Sequence, residues 1–372
     1  MRLLRPVFAA LVVVQVLVAS CAPVPDAIVV RTQAPSVAAL PSSVQEAVDR
    51  LIHDAMGNQQ IPGVALGIVS KNRVVYVTSY GFADRPRRPA AADTVYRLAS
   101  ISKTFTAIAA LQLAERGMLD LDATVQTYVP TFPTKRWPIS TRQLLGHLSG
   151  IRHYRGREVF STTHYSDSLA PLSIFKDDPL EHQPGTKYLY STYGYCLVGA
   201  VVEAAARERF PEYVRRHVFT PSGMRHAQVD DITVVIPHLA TGYDLVASGG
   251  LTEAPAFDAT NKIPGGGFVA TAEDMTHYAV AVMTDRLLRP QTKDAMWTRQ
   301  TTTGGTTTGY GLGWALGQWA GQRTAAHSGG QPGVTTLLFL VPDRGCAVIV
   351  LTNRGGVRGL SDLVRGIAGA VC

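Results

Sequence analysis

The sequence predicts an α/β (α+β) chain: an antiparallel sheet assembled from both chain ends, flanked by helices, with a mainly helical insertion at about residues 115–260. Three observations point there. Strand-like runs lie early, at Val64 to Val69 and Arg73 to Ser79, and late, at Thr335 to Val341 and Cys346 to Thr352. Helical patterns crowd the middle of the chain. One helix, over residues 100–116, is apolar around nearly its whole circumference, so neighbours must enclose it on every side. Strands from the two ends must then pair with each other, and the helices supply the covering layers.

The elements follow in order. Ser42 or Ser43 is placed to cap a helix through Ala55, with Val44, Ala47, Val48, Leu51 and Ile52 on one face. The two early strands are joined by the turn Lys71-Asn72. The 100–116 helix stops at Gly117, and a second clear helix spans about Tyr193 to Arg207. The two late strands flank a turn at Pro342-Asp343-Arg344-Gly345, and a last helix covers about Leu360 to Val371. No repeat or low-complexity tract interrupts this order.

Composition excludes several classes. The chain has 372 residues, of which 46% are hydrophobic, too many for a disordered protein. The net charge of +7 is spread over scattered arginines, and the densest run, Arg85 to Arg88, holds only three. A phosphate-binding stripe is therefore absent, and no nucleic-acid partner is expected. Four cysteines, at 21, 196, 346 and 372, form no Cys-x-x-Cys pair, which excludes a zinc ribbon or a disulfide scaffold. Beyond Cys21, three cysteines allow at most one disulfide, and a Cys346–Cys372 pairing has no sequence support.

The first residues read as an address. Arg2 and Arg5 precede the apolar run Val7 to Ala19, which is too short for a stable membrane span and suits a signal-peptide core. Leu17-Val18-Ala19-Ser20-Cys21 resembles the bacterial lipobox, whose cysteine becomes the lipidated N-terminus. The expectation is a signal peptide at 1–20, a tether at 21–41 and a catalytic domain at 42–372. The chain would then sit outside the cytoplasm, held on a membrane by acyl chains at Cys21.

A nucleophilic serine needs a base, and the two leave distinguishable spacings. The Gly-x-Ser-x-Gly elbow is missing; Ser149 in Gly146-His147-Leu148-Ser149-Gly150 falls one position short. Ser-x-x-Lys occurs at Ser100/Lys103 and at Ser173/Lys176. Ser173 and Lys176 lie among prolines and acids that keep the amine solvated, so that match is read as coincidence. Ser100 opens the all-apolar helix, where positions i and i+3 share a face. Burial there lowers the lysine pKa towards neutrality, as a general base requires. No His-Glu-x-x-His or other metal-ligand spacing occurs among the histidines. Gly309-Tyr310-Gly311-Leu312-Gly313 lacks the strand-to-helix context of a nucleotide loop and reads as a turn and strand. His147 is expected to pack or hydrogen-bond near the site without doing chemistry.

Three motifs then occur in order: Ser100-Ile101-Ser102-Lys103, Tyr190-Ser191-Thr192, and His327-Ser328-Gly329-Gly330. Between and around them lie Leu144 to Gly150, Pro184-Gly185-Thr186, Pro221 to Met224, Gly265-Gly266-Gly267, Tyr310 to Trp314, and Leu351-Thr352-Asn353. From about residue 43 onward the chain resembles the serine β-lactamase and penicillin-binding-protein superfamily, in its class C and esterase-like branch. The Tyr-Ser-Thr and His-Ser-Gly-Gly versions are particularly similar to the mitochondrial serine β-lactamase-like group and its bacterial relatives.

The resemblance implies a β-lactamase/transpeptidase-like fold and a cofactor-free serine hydrolase acting on a small-molecule or short-peptide substrate. Ser100 would form an acyl-enzyme. Lys103 and Tyr190 would relay its proton, with Tyr190 as a phenolate or a hydrogen-bonded phenol. The amides of Ser100 and Gly330 would bind the oxyanion. Gly329 and Gly330 would let substrate lie against the strand, and Thr192 and His327 would contact substrate or tune Lys103. Class C members usually carry Asn at the Thr192 position and Lys at the His327 position. A neutral His there attracts a substrate carboxylate less than Lys while still donating a hydrogen bond. That departure turns the expectation from penicillin towards an ester or short amide, although the β-lactam, the D-amino-acid peptide and the carboxylic ester all stay open. The alternative is a penicillin-recognising or filament-forming scaffold of the same fold with little turnover, and self-assembly is left open.

Overall fold

A computed structural model describes residues 40–372; the expected signal peptide, Cys21 and the tether through residue 39 lie outside the described residues. The first helix, α1 (Ser42–Gln59), is not capped by serine. Pro41 stands at the N-cap with φ −51° and no side-chain cap bond, and Ser42 and Ser43 form the first turn. Proline suits that place because its fixed φ is already helical and it has no amide hydrogen to strand. The helix runs four residues past Ala55 and ends where Gln60 turns left-handed at φ 51°.

Strands β1 (Gly63–Ser70) and β2 (Arg73–Asp84) form a hairpin. Lys71 and Asn72 both have positive φ, 52° and 57°, the two-residue turn whose twist matches the strands. A two-residue strand, β3 (Arg88–Pro89), edges the sheet. The late strands are β4 (Ala315–Trp319), β5 (Gln322–Gln331), β6 (Val334–Val341) and β7 (Cys346–Thr352). The spatial order is β3-β2-β1-β7-β6-β5-β4, with every neighbour antiparallel. The chain ends therefore meet at the centre, where Leu66 pairs with Val350 and Ile68 with Val348.

Alternation along these strands divides the core. Leu66, Ile68, Val348 and Val350 face a cluster with Val48 and Ile52 of α1 and with Val364 and Ile367 of α5, the last helix (Leu360–Val371). Ala65, Val69, Ile349 and Leu351 face the other way, onto α2 (Ser102–Glu115), α3 (Thr192–Ala206) and α4 (Ala272–Met283). Each buried aliphatic side chain contributes about 1.5–3 kcal/mol, and a one-residue slip would send all of them to the wrong layer. The register is therefore strongly specified. Cys346 and Cys372 form a disulfide with Cα atoms 5.8 Å apart, joining the start of β7 to the end of α5.

Three arrangements position the site. A 3₁₀ turn, Ala99–Ile101, precedes α2, so Ser100 lies just outside the α-helix instead of being its first residue. From Ser102 to Leu113 every side chain of α2 is buried. Strand β4 pairs only with residues 322–326 of β5, leaving the edge of β5 beyond Ala326 without a strand partner.

Candidate active site

The residue before Ser100 has an unusual backbone conformation. Ala99 is buried with φ 48°, a conformation an alanine adopts only under constraint from its surroundings. The constraint is close packing against β5. A side chain at Gly329 would fall 2.2 Å from Thr336 Oγ1, 2.3 Å from Leu98 O and 3.1 Å from Ala99 Cβ. Thr336 Oγ1 also donates to Leu98 O at 3.0 Å, tying β6 to the same turn. Gly329 thus serves the contact between the strand and the turn that holds Ser100, a role its motif did not suggest. Gly330 does border the cavity beside Ser100, with nothing near the place of a side chain.

Lys103 is fully buried, and its Nζ has three oxygen neighbours: Ser100 Oγ at 3.1 Å, Thr192 Oγ1 at 3.1 Å and Gly265 O at 2.5 Å. Burial, reinforced weakly by Lys262, pushes the amine down to about 7. A neutral amine has two N–H groups and one lone pair. One hydrogen goes to Gly265 O, which can only accept; the other hydrogen and the lone pair face the two hydroxyls at 3.1 Å, and the lone pair can take the Ser100 proton when Thr192 Oγ1 accepts. The carbonyl of Gly265 can come this close because a side chain there would lie 2.5 Å from Thr192 Cγ2.

Tyr190 packs its ring 4.9 Å from Lys103 Nζ and interacts through its hydroxyl with Ser100. Burial pushes the phenol well above its ordinary range, and the Ser100 contact offsets this only in part. Of the two forms considered for Tyr190, the neutral phenol is the one this environment favours. The Tyr190-Ser191-Thr192 segment is clamped from behind. Ser191 caps α3, accepting from Gly194 N at 2.9 Å and donating to Arg152 O at 2.7 Å. Ser191 N donates to His147 Nδ1 at 3.1 Å, and Thr192 N to His153 Nδ1 at 3.2 Å. Burial keeps both imidazoles neutral, His153 falling to about 4 and His147 well below its usual value. His147 therefore packs and accepts, as expected; His153 had no sequence signal at all.

His327 lies beside Tyr190, with ring centres 6.4 Å apart, and within electrostatic reach of Lys103. Its Nδ1 lies 2.7 Å from Ser328 O and its Nε2 lies 2.8 Å from Tyr310 Oη. Since a carbonyl only accepts, Nδ1 carries the hydrogen, and Nε2 receives the Tyr310 hydroxyl. Burial pushes the imidazole down to about 3. With its one N–H spent on the backbone, the buried His327 has no donor to offer a substrate, and its other expected role, acting on Lys103, is the one its position allows.

The cavity in front of these groups has a volume of about 240 Å³ and is bordered by Ser100, Tyr190, Thr192, His153, Gly330 and Lys262 among others. Ser100, Lys103, Tyr190 and Thr192 are thus brought together, with Gly330 at the rim. Lys262, which the sequence reading passed over, borders the same cavity; its only signal was a lysine embedded in Asn-Lys-Ile-Pro-Gly-Gly-Gly. Ser173 and Lys176 are apart from all of this: the hydroxyl donates to Ala170 O, and the exposed amine lies by Asp177.

A sheet built from both ends, a fully buried helix behind a Ser-x-x-Lys turn, and a strand edge facing that turn define the serine β-lactamase and penicillin-binding-protein superfamily, a class of serine hydrolases. The chain belongs to it: the Beta-lactamase family model matches residues 48–368. The human mitochondrial serine beta-lactamase-like protein LACTB is 28% identical, over 79% of this chain and 71% of its own. Among solved structures, EstCE1, a hydrolase with promiscuous acyltransferase activity, is 25% identical with a TM-score of 0.75, covering 88% of this chain and 98% of that one. The D-amino acid amidase from Ochrobactrum anthropi SV3 shares the fold, with a TM-score of 0.77 at 23% identity, over 89% of this chain and 99% of the amidase.

Proposed function

We propose that the protein cleaves an ester or amide through an acyl-enzyme on Ser100. The observation that carries this reading is the fully buried Lys103 amine 3.1 Å from Ser100 Oγ, its proton affinity lowered by burial to about 7. Lys103 takes the Ser100 proton as Oγ attacks the substrate carbonyl. The oxyanion forms beside the amides of Ser100 and Gly330, an arrangement in which losing one donor costs about 10²–10³ in rate. Tyr190, as a neutral phenol, gives its proton to the leaving oxygen or nitrogen and is reprotonated from the Lys103 ammonium. Water then attacks the acyl-enzyme by the reverse relay, releasing the acid and restoring Ser100.

The buried neutral His327 leaves β5 without the fixed cation of a penicillin-hydrolysing strand. A substrate carboxylate, a β-lactam's included, therefore has no cationic partner on β5 itself, and a carboxylic ester or a short amide is the substrate class tested first. EstCE1, a hydrolase of comparable architecture, supports the class of reaction. Replacing Ser100 by Ala should abolish p-nitrophenyl ester turnover and labelling by a fluorophosphonate or fluorescent β-lactam. Labelling retained in that variant would show the nucleophile to be another residue.

The enzyme is further proposed to work outside the cytoplasm, tethered through a lipidated Cys21. The lipobox-like Leu17 to Cys21 supports this. Mass spectrometry of the mature N-terminus should find a diacylglyceryl group on Cys21, and an unmodified start elsewhere refutes the anchor.

A further inference from the structure

The mechanism above leaves one buried cation unused. Lys262 is 1% exposed, borders the cavity and has no hydrogen-bond partner for its Nζ. It comes from the turn Ala259–Lys262, just ahead of the Gly265 carbonyl that holds Lys103, and not from β5. The charged groups around it are already engaged. Asp230 is paired with Arg97 Nε at 2.7 Å. Asp258 accepts from Thr260 N at 2.8 Å and from Thr260 Oγ1 at 2.5 Å, and faces His164 Nδ1 at 3.0 Å. What touches the amine is aromatic: Phe257, with its ring centre 4.5 Å away, and Tyr154 at 5.9 Å. Burial pushes the ammonium down to about 8, while Asp230 and Asp258 oppose that fall, so at neutral pH it remains mostly charged. A second orphan donor borders the same cavity, the buried Nε2 of Gln331 at the end of β5.

An unpaired buried cation is costly unless a partner arrives. We infer that Lys262 is the anion anchor of this site, and that the substrate carries a carboxylate which Lys262 and Gln331 receive. One charge and two unpartnered donors suit a monoanion with two acceptor oxygens. The cation that His327 does not supply thus comes from another wall. This inference deepens the acyl-enzyme reading and rests on it for the word substrate.

The test compares 4-nitrophenyl hydrogen succinate with its neutral methyl ester. Wild-type kcat/KM should favour the acid, and Lys262→Met should cost the acid ten- to hundred-fold more than the neutral ester, chiefly through KM, as expected for a charge-assisted hydrogen bond. Lys262→Arg should recover part of the difference. Equal losses on both esters, or no wild-type preference for the acid, overturn the anchor; a merely structural lysine held by Phe257 and Tyr154 gives the first of these. A binding arm works without turnover: in the Ser100→Ala protein, calorimetry with phenylacetate and phenylacetamide should show tighter carboxylate binding that Lys262→Met removes. Lys262-dependent phenylacetate binding in a protein that hydrolyses neither ester would refute the acyl-enzyme reading and leave the anchor standing. Ester hydrolysis without Lys262-dependent discrimination would do the reverse.

Discussion

The hydroxyl of Tyr310 donates to Nε2 of His327 across 2.8 Å, which fixes the β5 imidazole as a neutral acceptor. In Tyr310→Phe the buried nitrogen loses its partner, an effect worth about 1–3 kcal/mol. Thermal unfolding should register that loss. If His327 instead served substrate directly, KM would rise with little change in melting temperature.

The pH dependence of turnover should follow Lys103. The base must be unprotonated, and its amine is held at about 7, so log kcat/KM should rise with unit slope below that pH and level off above it. Tyr190 adds no acid limb, because burial moves its phenol the other way. Stability carries the same signature. Between about 7 and the ordinary lysine value, the unfolded chain holds a proton that the folded one lacks, so stability rises with pH through this window. Lys103→Met should abolish turnover and remove its share of the stability rise, leaving the part between about 8 and the ordinary lysine value that comes from Lys262, as pH-resolved denaturation would show.

Thr192→Val removes an acceptor from Lys103 Nζ. The ammonium form loses more than the amine, so the acidic limb should move to lower pH, while the less firmly aimed lone pair lowers kcat by roughly ten-fold, the equivalent of one hydrogen bond. A limb shifted to higher pH would contradict the assignment of Thr192 as acceptor.

Gly329→Ala and Gly330→Ala should behave oppositely in stability. The first places a methyl within 2.3 Å of Leu98 O, against backbone that cannot yield, and should cost about 1–3 kcal/mol as well as most activity. The second meets open space and should leave the melting temperature near that of wild type. Comparable unfolding curves for the two would refute the packing role of Gly329.

Cys372→Ser opens the loop closed by the Cys346 bridge, a sequence separation of 26 residues. Chain-entropy arguments put the loss at about 3 kcal/mol. Chemical denaturation under oxidising conditions should show it, and a reductant should erase the difference between variant and wild type.

Much of this was legible in the residues alone. The strand Cys346–Thr352 and the helix Leu360–Val371 agree with their expected bounds, because an unbroken apolar run and a helical stripe are local signals. Ser100 and Lys103 were legible for the same reason, Lys103 standing on a helix apolar all round and Ser100 in the turn that leads into it. The roles of Gly329 and His327 were not. Both depend on which neighbours β5 packs against, the turn holding Ser100 in one case and Tyr310 in the other, and no spacing records that. Lys262 and His153 were invisible because nothing local distinguishes a buried lysine or histidine from a solvated one.

The central strand pair has a consequence for how the protein comes into being. Val64 lies beside Thr352, so the middle of the sheet closes a loop of roughly 290 residues, and long-range pairings of this kind make folding slow. During synthesis the nucleophile helix emerges well before the strand edge it must face. On the proposed mechanism the nascent chain carries Ser100 and Lys103 for most of its translation without a working base, since the Lys103 amine is brought low by enclosure. Chemistry is withheld until the last strands arrive, and a chain cut short before β5 should be hydrolytically silent however well its early part collapses.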